Sequence, residues 1–135
     1  MGTIINIDNL SSTELVSGLL VNVKANKFSD QMLYRFLRKL ESDMPALRER
    51  FRIEGSDDRL RSEPIQKILD FLEMGKILEV AMPNPVHQFY RPRPMQLPAL
   101  RRQLEARGVL PTHEDAFIEL ASEFDALISE SQESR

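Results

Sequence analysis

The stretch Ser62-Glu63-Pro64-Ile65-Gln66-Lys67-Ile68-Leu69-Asp70-Phe71-Leu72-Glu73-Met74-Gly75-Lys76-Ile77-Leu78-Glu79-Val80-Ala81-Met82-Pro83-Asn84-Pro85-Val86-His87-Gln88-Phe89-Tyr90-Arg91-Pro92-Arg93-Pro94, with its continuation to Gly108, decides the fold. Ser62 is an N-cap residue, and Ile65, Ile68, Leu69 and Leu72 recur at helical spacing up to a stop at Gly75. Ile77 to Met82 is apolar and partly β-branched, as in a strand. The prolines around Asn84 reverse the chain, and Val86 to Arg91 returns as a second strand. Pro92 and Pro94 have no amide hydrogen for a ladder, so pairing ends there. Leu97, Leu100 and Leu104 then mark a helix with Pro98 at its start and Gly108 at its end. The order is helix, strand, turn, strand, helix.

Working outward, Ser11 and Glu14 form a capping box ahead of Leu15, Val16, Leu19, Leu20 and Val23. Gly18 interrupts this helix, either weakening it by about 1 kcal/mol if exposed or admitting a neighbouring helix closely. The helix is expected to end at Lys24 to Lys27, with Asn26 as a left-handed cap. Ser29 caps a second helix whose apolar face is Met32, Leu33, Phe36, Leu37 and Leu40, giving an αα-hairpin. Residues 45–53 fit either a short helix sharing Leu47 and Phe51 or an alternating strand. Gly55 to Asp58 is a loop. Near the C-terminus, Thr112 is a cap for a last helix striped by Phe117, Leu120, Ala121, Phe124, Leu127 and Ile128.

These patterns predict a mainly α (α+β) domain of five or six helices with one small β-hairpin, in which a winged-helix-like arrangement is possible. Residues 1–10 are an N-terminal arm or edge strand. Residues 11–130 form a single helical domain with the hairpin near 76–91, and 131–135 a disordered tail.

Composition narrows the function. The 135 residues include no Cys, which removes disulfides, thiolate metal sites and a Cys nucleophile. No apolar run reaches the roughly 20 residues of a membrane span, so a cytoplasmic protein without membrane contact is expected. The net charge of −3 is uneven. Residues 112–135 carry seven acids and one base, leaving the rest mildly basic. His87 and His113 show no metal-ligand spacing, and there is no Gly-x-Ser-x-Gly elbow or phosphate-binding glycine loop. No enzyme, cofactor or metal is therefore expected.

Between residues 91 and 107 lie five arginines and one acid. With the neighbouring aromatics, Phe89, Tyr90, Arg91, Arg93, Arg101 and Arg102 make a candidate partner-binding surface. The expected function is a protein-interaction module, an adaptor or regulatory component, with a homodimer as one arrangement. The alternative is a winged-helix-like nucleic-acid binder contacting phosphates through the same arginines. It is disfavoured because the helix before the hairpin carries Glu63, Asp70 and Glu73 against Lys67 alone, and phosphates repel such a face.

Overall fold

The computed structural model describes residues 10–56, 59–82 and 88–133. The expected N-terminal arm, the hairpin tip with His87 and part of the Gly55–Asp58 loop lie outside the described residues. Among those described there are six helices: α1 (Ser12–Leu20), α2 (Asp30–Asp43), α3 (Arg48–Phe51), α4 (Glu63–Met74), α5 (Leu97–Ala106) and α6 (Glu114–Glu133). Three short strands, β1 (Phe28–Ser29), β2 (Leu78–Met82) and β3 (Phe89–Pro92), form one antiparallel sheet in the order β1-β3-β2. The expected mainly α domain with a small hairpin is the one observed.

Local chemistry explains the helix starts. The Ser11 hydroxyl accepts from the Glu14 amide while the Glu14 carboxylate accepts from the Ser11 amide, completing the capping box. Ser29 caps α2 through the Met32 amide. Ser62 caps α4 through the Ile65 amide, and its hydroxyl also donates to the Phe51 carbonyl, tying α4 to α3. Residues 45–51 are helical rather than extended, with Arg52 and Ile53 beyond the helix: a 3-10 turn at Pro45–Leu47 runs into α3, and Leu47 and Phe51 are both fully buried. After α3 the chain returns through a loop closed by paired backbone bonds between Glu54 and Arg61.

Several boundaries differ from the sequence reading, those of α1 and α6 among them. Helix α1 stops at Leu20, before Lys24, and Asn26 is not left-handed. The reason is tertiary: the Asp125 carboxylate on α6 accepts from the Lys24 and Ala25 amides and holds this segment off the helix axis. Helix α6 begins at Glu114, one residue later than a Thr112 cap requires, after a turn in which the His113 amide donates to Val109. It also runs to Glu133, so residues 131–133 are helical where a disordered tail was expected.

The core joins all layers. Phe117 and Phe124 of α6 are fully buried, with Leu120, Ala121 and Ile128 beside them. Phe124 packs against Phe36 of α2 (centroids 5.2 Å apart) and edge-on to Phe28 of β1 (5.8 Å). The Phe117 ring lies where a Cβ on Gly18 would sit only 2.5 Å from it, so this glycine admits the close approach of α6 to α1. The apolar stripe of the last helix is core.

Candidate functional site

Strand β3 sorts the six residues of the expected surface. Successive side chains point to opposite faces, and Tyr90 and Pro92 face the core while Arg91 faces solvent. Tyr90 is fully buried and stacks on Phe28 at 5.8 Å. Its hydroxyl donates to Gln88 Oε1 and accepts from Gln66 Nε2, while Tyr34 donates to Gln66 Oε1. This polar chain links α2, α4 and β3. Burial pushes the Tyr34 and Tyr90 phenols above their ordinary range. The placement of Tyr90 on a contact surface is therefore corrected: it is a core residue.

The other five divide again. Arg101 is half-buried, with Nη1 donating to both carboxylate oxygens of Glu114 at 2.8 and 3.0 Å and Nη2 to Asn22 Oδ1. It fastens α5 to α6 and to the segment after α1, which is a structural role. Phe89 is half-buried beneath the Lys27 ammonium, 5.5 Å from its ring centroid. Arg91, Arg93 and Arg102 are exposed, with Arg91 opposite Glu79 across the β2–β3 ladder.

A second surface lies on α4. With Ile65, Ile68, Leu69 and Leu72 buried, the opposite face presents Phe71 (66% exposed) and Met74 (82%), one turn apart. Around them stand Glu63, Lys67, Asp70 and Glu73, all exposed, with Lys67 paired to Glu63 at 3.9 Å. The end of α4 is closed by the Lys76 amide donating to Glu73 and the Ile77 amide to Leu72, with Lys76 itself left-handed at φ 65°. The Ile77 carbonyl then accepts from the Arg93 amide, which fastens the turn carrying Arg93 and Met95 (88% exposed) to the end of α4. The signal for this surface was present in the sequence: Phe71 and Met74 fall outside the face set by 65, 68, 69 and 72.

His113 is half-buried in the turn before α6. Among the described residues, no group of three or more His, Cys, Asp or Glu is placed to hold a metal ion. No described helix is long and apolar enough to cross a membrane. Two clefts flank α3: one of about 350 Å³ beside Tyr34, Ser62 and Arg61, the other of about 400 Å³ beside Glu41 and Arg48.

No protein-family model, curated protein or solved structure matches the chain.

Proposed function

We propose that the protein is a non-enzymatic protein-interaction module, an adaptor or regulatory component, whose docking face is the exposed side of α4. A strand between α1 and α2 that joins the hairpin following α4 is a winged-helix-like arrangement, with α4 in the position of the recognition helix. The observation that carries the reading is what α4 exposes: Phe71 and Met74 framed by Glu63, Asp70 and Glu73. Exposed aromatic and methionine side chains are the residue types that anchor protein interfaces. The acids repel a phosphate backbone.

Charge complementarity defines the partner as a segment of another protein with apolar anchors flanked by Lys or Arg. The module acts in a reducing, cytoplasmic setting in this reading, consistent with the absence of Cys.

The test is a peptide-display selection on the wild-type protein, counter-selected on a Phe71→Ser/Met74→Ser variant whose folding is verified by circular dichroism. Enrichment of apolar-and-basic peptides that the variant no longer binds supports the reading. Peptides bound equally by both proteins would place the docking face elsewhere. The exposed Arg91, Arg93 and Arg102 give the nucleic-acid alternative a specific check, an anisotropy titration with duplex DNA at two salt concentrations. Binding that weakens steeply with salt and is lost in Arg93→Ala/Arg102→Ala would replace the protein-binding reading.

A further inference from the structure

A buried acid with one unpaired oxygen stands at the end of α2. Glu41 is 8% exposed, and its Oε2 has no hydrogen-bond partner among the described residues. It is the most buried of the residues lining the 400 Å³ cleft, whose rim is Arg38 and Ser42 of α2, Arg48 of α3, and Arg52 and Ile53 beyond it. Arg38 is oriented by a 2.9 Å bond from Nη1 to the Gly55 carbonyl. A buried polar atom left unpaired is costly, and in native proteins such an atom asks for an explanation.

Arg52 supplies a second, independent sign. It closes α3 in the left-handed conformation, φ 46° and ψ 52°, which an L-residue adopts only at a cost. That backbone geometry leaves the Arg52 side chain lining both this cleft and the neighbouring one beside Tyr34 and Ser62.

We propose that this cleft binds a small oxyanion, inorganic or a phosphate monoester, gripped by the guanidiniums of Arg48 and Arg52 with Arg38 at the rim and the Glu41 carboxyl beneath it. Three guanidiniums against one carboxyl leave the cleft cationic, and guanidinium forks match tetrahedral oxyanions. Burial pushes the Glu41 carboxyl above the ordinary carboxylate range, and Arg38 and Arg48 only partly offset this. The charged groups lining the cleft with Glu41 are Arg38, Arg48 and Arg52, so Glu41 is the one carboxyl among them and the pH response is assigned to it. Protonated, it donates to the anion; ionised, it repels it. Binding therefore weakens as pH rises through the Glu41 titration. The site is separate from the α4 surface and does not depend on it.

The probe is sulfate, which does not titrate in this range, added at constant ionic strength and followed by calorimetry and by arginine side-chain NMR shifts at pH 5 and pH 8. Saturable binding at pH 5, about tenfold weaker at pH 8, is expected, because loss of one charge-assisted hydrogen bond is about a tenfold effect. Glu41→Gln, which keeps a donor at every pH, should bind equally at both. Arg52→Gly removes the guanidinium while relieving the left-handed strain, so its expected loss of binding, again about tenfold or more, does not come from unfolding. Tighter binding of phenyl phosphate than of sulfate would identify an ester ligand; equal binding would identify the inorganic ion. Non-saturating sulfate binding, undiminished binding by Arg52→Gly, or a wild-type pH response in Glu41→Gln would each overturn the proposal.

Discussion

Helices α4 and α6 are both amphipathic, yet they place their aromatic residues in opposite directions. On α6, Phe117 and Phe124 are fully buried, and the outer side holds Glu119, Glu123 and Glu130 with Ile118 as its one large apolar residue. On α4 the buried face is entirely aliphatic, and the aromatic residue, Phe71, points to solvent beside Met74. One helix completes a core. The other completes its share of the core without Phe71, which leaves that side chain free of any structural duty. An exposed phenyl group with no packing role is the stronger pointer to a surface that meets something else.

The largest test of this contrast is a pair of truncations. Phe124→Ala removes a ring packed against Phe28 and Phe36 and should cost about 3–5 kcal/mol in denaturant unfolding. Phe71→Ala should stay within about 0.5 kcal/mol of wild type, as surface substitutions do. Comparable losses at the two sites would show that α4 is packed on both sides, and the docking face would have to be abandoned.

Gly18→Ala probes the same core from α1. The new methyl group would press on the Phe117 ring, which is fully buried. Overpacking of about 1–3 kcal/mol outweighs the gain of about 1 kcal/mol in helix propensity, for a net loss of roughly 1 kcal/mol. Phe117→Leu in the same background should recover part of that loss. A Gly18→Ala protein more stable than wild type would mean that α6 can move away from α1.

The helical stripes were legible because the apolar faces keep their 3.6-residue spacing and because α1, α2 and α4 each start at a Ser that caps them. What the sequence could not settle was decided at a distance. β1 is only two residues long, Phe28 and Ser29, too short to show alternation, and it exists because it pairs with Tyr90 and Phe89. Which of the adjacent aromatics Phe89 and Tyr90 faces the core is a matter of a one-residue register, and local pattern does not fix it. Tyr90 goes inward because Phe28 and the Gln66 amide are there to receive its ring and hydroxyl. Arg101 likewise looked available until Glu114 and Asn22 came within its reach through tertiary contact. The α4 surface was the reverse case, readable from the helix periodicity alone once Phe71 was set against the buried face.

The smallest effect concerns how α4 ends. Helices α4 and α5 finish with the same pair of bonds, Lys76 to Glu73 and Ile77 to Leu72 in one, Gly108 to Glu105 and Val109 to Leu104 in the other. This is the Schellman motif, and its left-handed position favours glycine. Helix α5 has Gly108 there at φ 80°, whereas α4 has Lys76 at φ 65°, with Gly75 one residue earlier at an ordinary φ of −80°. The glycine that marks the stop in the sequence is therefore not the residue that needs to be one. Lys76→Gly should stabilise the protein by about 0.5–1 kcal/mol, and Gly108→Ala should destabilise it by about 1 kcal/mol, each at an unchanged denaturant slope. Because Lys76 borders Met74, the stabilised variant also bears on the docking face. If the peptides selected on wild type bind Lys76→Gly less tightly although it is more stable, the ammonium group belongs to the contact. If they bind it equally, the contact stops at Met74 and Lys76 only closes the helix.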